Sequence, residues 1–203
     1  MLLAVDIGNT ATKFGIFDGE RLSSKFSIPT DPNSTKDDLI LLLDHKIDGS
    51  ISEAIICSVV PEADASMREF LMSTGIDHPV FVANDLDFGL KVNYQPLSAL
   101  GVDRLVNSFA AAQKYGAPCI VCSFGTATTF DVVDRDRKLL GGVISPGMKT
   151  MSKALHLNTA QLPEVEIEKP NSLIGNTTVT SIQSGIFYGQ IAMVEGMIER
   201  IRN

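Results

Sequence analysis

A duplicated α/β unit is the fold class this chain predicts, and three observations predict it. First, the turn Asp6-Ile7-Gly8-Asn9-Thr10 has a counterpart in Ser123-Phe124-Gly125-Thr126-Ala127-Thr128. Each follows an apolar run, Leu2 to Val5 and then Cys119 to Cys122, and each leads into a second one. Second, each turn lies at the head of three strand-like runs followed by helical patterns, an order that fits an α/β unit used twice. Third, Gly116-Ala117-Pro118 interrupts the chain just before the second copy. The boundaries that follow are an N-terminal lobe over 1–116 and a second lobe over 117–203.

The elements can be justified in order. Residues 2 to 28 read as three strands, with Asp18-Gly19 turning the second into the third. Thr30 to Ser34 is a loop, and Thr35 caps a helix that carries Asp37 and Asp38 in its first turn. Ala54 to Val60 reads as a buried strand, and Pro61 opens a helix that runs to about Ser73. Val80 to Ala83 is a short strand, and a helix from about Leu100 to Tyr115 closes the first lobe. Strands near 119–123, 128–134 and 138–144 restart the pattern, and Pro146-Gly147 begins a short helix. Residues 158 to 177 are irregular, broken by Pro163 and Pro170. Ile182, Ile186, Met193, Met197 and Ile201 mark one face of a last helix, where Gly185 and Gly189 permit close approach of another helix.

Composition narrows the function classes. A formal charge of −7 without a Lys/Arg cluster argues against a nucleic-acid partner. Met1 to Val5 is too short for a signal peptide or a membrane span, so the expected location is the cytoplasm, with no membrane partner. Three cysteines without regular spacing fit a reducing compartment. Cys119-Ile120-Val121-Cys122 reads as a buried strand with core thiols, since a zinc site needs about four ligands and a redox pair sits at a helix start.

Several residues carry chemistry. In the first turn Asp6 can face a magnesium ion or its waters, and Gly8, Asn9 and Thr10 can donate to phosphate oxygens. Glycine also permits the positive φ of a tight turn. Lys13 can bring a point charge to the same phosphates. An ordinary Asx turn with a surface lysine explains the same residues. The second copy at Gly125 and Thr126 tips the balance toward phosphate, because a nucleotide needs two walls. Gly101-Val102-Asp103-Arg104 opens a helix whose N-terminus favours anions. Taken alone, Asp103 is more simply a first-turn acid with Arg104 as its surface partner. Tyr94-Gln95-Pro96 is either a recognition loop or an aromatic in a turn. Gly141 to Gly147 either brings backbone close to a ligand or makes a tight hairpin and a helix stop.

Taken together, these segments resemble the type III pantothenate kinase family. The resemblance rests on Asp6 to Thr10, Tyr94 before Gly101 to Arg104, Phe124 to Asp131, Gly141 to Gly147, Asn158 to Pro163, Ile174 to Thr178 and Ser181 to Gly185. It covers the whole chain, in order. It implies two ribonuclease-H-like lobes of the actin, sugar-kinase and Hsp70 superfamily enclosing ATP. It also implies phosphoryl transfer from ATP to pantothenate, the first step toward coenzyme A. Magnesium, a monovalent cation such as potassium or ammonium, and a homodimer come with it. By motif, Asp6, Thr10 and Lys13 fall in the phosphate and metal region, and Asp103 is similar to the family's general base. Tyr94, Gly101, Val102, Arg104 and Thr178 match pantothenate positions, and Asp131 is a candidate for the cation site.

Two departures from the family pattern bear on activity. The family usually has aspartate where Ser123 stands, and a hydroxyl cannot supply negative charge to a metal shell. Family members also continue with further strands and a glycine-rich loop for the adenosine, so the second lobe is expected to be incomplete. A non-catalytic paralogue that binds pantothenate or nucleotide is therefore the alternative to an enzyme. Another kinase of the superfamily is disfavoured by Asn158 to Pro163 and Ile174 to Gly185, and a DNA-binding repressor by the acidic charge. Ser123→Asp is expected to raise ATP-dependent pantothenate phosphorylation, by an amount equivalent to about 2–4 kcal/mol at the transition state. A steady-state assay showing no gain in rate overturns this.

Overall fold

The computed structural model describes residues 1–43, 45–47 and 51–203. Two mixed sheets organise it. In the first, β1 (Leu2–Ile7), β2 (Ala11–Asp18) and β3 (Arg21–Pro29) form an antiparallel meander. On the other side of β1, β4 (Glu53–Ser58) and β5 (Val80–Phe81) join in parallel, giving the order β3-β2-β1-β4-β5. Parallel neighbours require crossovers; α1 (Lys36–Leu43) and α2 (Pro61–Ser73) lie in them. Leu3, Val5 and Ile7 are buried with Phe14, Ile56, Phe70 and Leu71 in one core. Strand alternation then puts Leu2, Ala4 and Asp6 on the opposite face of β1.

In the second sheet, β7 (Cys119–Phe124), β8 (Ala127–Val133) and β9 (Lys138–Pro146) repeat the meander. Its order is β6-β9-β8-β7, with β6 (Lys91–Val92) parallel to β9 and β7 at an edge. A two-residue strand has no periodicity to read, so β6 was not expected from sequence. Leu90, Leu100, Leu105 and Ala112 share a second core with Val133 and Leu139. Both the pairing of β6 and this core draw residues before Gly116 into the second half.

The helix α3 (Val102–Tyr115) ties the halves together, packing on β4 of the first sheet and on β7 and β8 of the second. It ends at Gly116, whose φ of 89° is left-handed. A third cluster joins α4 (Met148–Leu157) to α5 (Thr178–Arg202) through Met148, Met151, Val165, Ile182 and Ile186. Residues 158–177 between them form no helix or strand. The apolar stripe expected along α5 is buried only in its first half. Met193, Met197 and Ile201 are half-buried, while Gly185 and Gly189 are exposed.

The two glycine turns fold differently from expectation. Neither Gly8 nor Gly125 has a positive φ. Each N–H turns inward instead, Gly8 onto Ala11 O at 3.2 Å and Gly125 onto Ala127 O at 3.0 Å. At the second turn the glycine that internal packing demands is Gly147, where a Cβ would lie 2.0 Å from Gly125 O and 2.8 Å from Thr126 O. A Cβ at Gly125 would meet nothing nearer than 3.8 Å. Gly147→Ala is therefore expected to lower stability by about 2–3 kcal/mol, whereas Gly125→Ala should stay within ~0.5 kcal/mol of wild type. Urea unfolding of the two variants checks the contrast.

Candidate functional site

Three elements converge where the two sheets face each other. From the first sheet, strand register sets Asp6 opposite Lys13 on β2 and Cys57 on β4. Paired residues share a face, so Asp6, Lys13 and Cys57 stand together, away from the first core. Lys13 Nζ donates to Asp6 Oδ2 at 2.9 Å, and both side chains are exposed enough for the pair to contribute little to stability.

The glycine turns meet at their tips, where the hydroxyls of Thr10 and Thr126 lie 2.7 Å apart. Each turn has its own support. Thr30, at the end of β3, donates through its hydroxyl to Gly8 O at 2.7 Å and through its N–H to Thr10 O at 3.1 Å. Gly147 N–H and Thr150 Oγ1 both donate to Thr126 O, at 2.9 and 2.6 Å, so the start of α4 holds the second turn. That explains the Gly147 end of the Gly141 to Gly147 segment: its close approach is to the second turn itself.

The third element is the N-terminus of α3. Asp103 folds back over Gly101, where a Cβ would lie 2.5 Å from Asp103 Oδ1. Burial pushes the Cys57 thiol up to about 12, and the Asp6 and Asp103 carboxylates add to it. That joint influence ties Asp103 electrostatically to the Asp6 wall. Ahead of the helix, Asn84 Nδ2 donates to Leu97 O at 3.1 Å and Leu100 O at 2.6 Å, fixing the turn that leads into Gly101.

Arg104 is not on the surface and does not pair with Asp103. Its side chain is buried, with Nε at 2.9 Å and Nη2 at 2.6 Å from Asp131 Oδ1. The Tyr94 ring centroid lies 5.5 Å from its Cζ. Burial alone would lower the guanidinium's pKa, but hydrogen bonds and charge from Asp131, together with Tyr94, hold it above the usual value. Gly142 makes room for the β8 backbone and for this pair, since a Cβ there would lie 2.1 Å from Phe130 O, 2.7 Å from Arg104 Nη2 and 2.8 Å from Asp131 Oδ1.

The remaining candidates are distributed as follows. Val102 is buried at the start of α3, beside Gly101. Ser123 is half-buried on β7 opposite Thr129, on the face that also carries Asp131. Thr178 lies apart, in the wall of an open depression of about 810 Å³ between α4 and α5 that includes none of Tyr94, Gly101, Asp103 or Arg104. Cys119 and Cys122 are three residues apart on β7, which points them to opposite faces. Among the described residues no cluster of three or more His, Cys, Asp or Glu side chains is placed to hold a metal. Cys57, Asn84, Thr30 and Thr150 were not singled out from sequence. Only the strand register or the tertiary contact reveals them.

These features define a two-sheet α/β protein of the actin-like ATPase class. Its first sheet has the ribonuclease-H-like order, and its second repeats the meander. A family model for type III pantothenate kinase matches residues 2–200. A type III pantothenate kinase from Paramagnetospirillum magneticum is 42% identical over 209 residues, covering 100% of this chain and 80% of that protein. One from Agathobacter rectalis is 38% identical over 208 residues, with the same two coverages. Among solved structures, a Baf-family protein from Campylobacter jejuni is similar with a TM-score of 0.52 at 21% identity, covering 96% of this chain and 78% of that one. The chain belongs to the type III pantothenate kinase family, whose reaction phosphorylates pantothenate with ATP on the way to coenzyme A.

The shifted thiols are open to measurement. A thiol near 12 stays protonated at pH 8, with a thiolate fraction on the order of 10⁻⁴. Burial raises Cys119 and Cys122 as well. Iodoacetamide labelling at pH 8 is expected to modify Cys57 roughly three orders of magnitude more slowly than a free thiol. Peptide mass spectrometry over a time course reads the rate, and rapid labelling of Cys57 contradicts its placement.

Proposed function

We propose that this chain binds ATP across the two glycine turns and pantothenate along Tyr94 and Gly101 to Arg104, with Asp103 as general base. The contact of Thr10 with Thr126 carries this reading, because it brings two turns from separate sheets to one point. A phosphate chain there takes hydrogen bonds from both turns in place of the one their hydroxyls share. Gly8, Asn9 and Gly125 keep those walls thin, and among the described residues nothing crowds a Cβ at Gly125. Lys13 can swing from Asp6 to the phosphates, both being exposed.

Asp6 fits a magnesium site. That ion is commonly held by one or two carboxylates, waters and substrate phosphates, so no larger protein cluster is needed. Bound there, magnesium would neutralise phosphate charge as the phosphoryl group moves. Asp131 fits a monovalent-cation site poorly, because the buried Arg104 guanidinium on its Oδ1 already neutralises its charge. Phosphoryl transfer needs alignment and charge neutralisation more than covalent help. Asp103 takes the proton of the attacking hydroxyl; among the described residues it makes no ion pair that would occupy it.

A homodimer and a cytoplasmic location belong to the same reading. In support of the dimer, Gly185 and Gly189 are exposed on α5, with nothing within 4 Å of an added Cβ. Leu173, Ile174, Val179 and Ile191 are also exposed on or just before that helix. Among the described residues no helix is long and apolar enough to cross a membrane. Ser123 supports a second reading, a binding protein with weakened turnover, since it puts no charge on the wall that holds Thr126. Calorimetry with pantothenate, and separately with ATP and magnesium, is expected to show both binding. Pantothenate binding alone would favour the second reading, and binding of neither would overturn both.

A further inference from the structure

The pair formed by Arg104 and Asp131 has features that a merely structural ion pair does not need. Both hydrogen bonds land on a single oxygen, Asp131 Oδ1, and engage Nε and Nη2. Nη1 therefore keeps both of its N–H bonds outside the pair. Among the described residues the other carboxylate oxygen, Oδ2, has only Thr129 Oγ1 at 3.5 Å, the limit of hydrogen bonding. Asp131 is 1% exposed and the Arg104 side chain 9%, so what access the pair has to the cleft is through the guanidinium. Tyr94 adjoins that guanidinium, and Gly142 leaves the gap in which the pair sits.

We propose that Asp131 is a positioning residue for substrate recognition: its carboxylate holds Arg104 so that the guanidinium's remaining N–H bonds meet the carboxylate of pantothenate. This rests on the reading that Tyr94 and Gly101 to Arg104 form the pantothenate site. A free arginine side chain has many rotamers, and ordering it at the moment of binding costs affinity. Asp131 removes that cost in advance. A guanidinium already clamped along one edge presents the other as a fixed fork, the geometry a carboxylate accepts bidentately. Burying two charges is also a poor way to gain stability, since their desolvation offsets their attraction. A role in orientation accounts for charges where an apolar pair would pack as well.

The test compares pantothenate with pantothenol, which has an alcohol in place of the carboxylate. Calorimetric or competition affinities for both are measured on wild type, Asp131→Asn and Asp131→Glu, with ATP affinity and melting temperature alongside. Wild type is expected to prefer pantothenate. Asp131→Asn should weaken pantothenate on the order of 10- to 100-fold while pantothenol and ATP change little. Asp131→Glu keeps the charge but shifts the accepting oxygen by about 1.5 Å, and should show a smaller loss confined to pantothenate. It serves as the test if the Asn variant does not fold. Equal losses for pantothenate and pantothenol, or an unchanged or increased preference for pantothenate, overturn the proposal. So does a wild type that binds both equally. A wild type that binds neither overturns the pantothenate-site reading itself, and that outcome is visible before any variant is made.

Discussion

The buried contact of Arg104 with Asp131 is the constraint on which the arrangement of the cleft depends. It fixes the first turn of α3 to β8, and α3 packs on both sheets. Its neighbours on β8 show the consequence. Asp131 and Val133 lie on the side of α3, whereas Thr128 and Phe130 face the other way, where Gln190 of α5 donates to Thr128 Oγ1 at 2.9 Å. The strand is thus registered on one side by an ion pair and on the other by a buried amide. Slipping it by one residue would exchange those faces and leave a buried guanidinium without its carboxylate. The tolerance for such a slip is low, and the position of Asp103, one residue from Arg104, inherits that precision.

The glycine turns show how a duplicated motif diverges in its supports while keeping its shape. The first leans on Thr30, a side chain from its own meander. The second leans on the start of α4, through Gly147 and Thr150. Both place a carbonyl under a hydroxyl or N–H donor, so in both the turn's acceptors are satisfied from behind. What remains toward the cleft is Thr10 and Thr126. The likeness visible in the sequence is therefore a likeness of the front surface; the backs are built from unrelated residues.

Much of the fold was legible because its signals are local. Apolar runs flanked by Gly, Pro and Asp marked the meanders, and Thr35, Pro61 and Gly116 marked helix ends. The glycine motif at residues 141–147 was left open between two explanations, and the packing supplies a third. Gly142 yields to Arg104 and Asp131, and Gly147 yields to the second turn. The partner of Arg104 was not legible for a related reason. A neighbour at the next position is the simplest guess for an ion pair, yet adjacent helical positions point in different directions, and Asp131 comes near only through the fold. Cys57 shares the site with Asp6 because of parallel register, which no single segment records. The strand β6 is too short to show a period at all.

Charge pairing across the cleft sharpens what the sequence asymmetry means. Asp6 is matched by Lys13 within the first sheet, and Asp131 of the second sheet by Arg104 of α3. Asp103, in the first turn of α3, has no ion-pair partner among the described residues. A carboxylate without a salt bridge can serve the general-base role proposed for Asp103 without giving one up. An aspartate at 123 would add a second, unmatched negative charge on the Asp131 face, which only a bound cation could balance. Serine leaves that face neutral without one. The difference between Asp6 and Ser123 therefore concerns how strongly the second wall calls for a cation, while Asp103, Lys13 and Arg104 stay as they are.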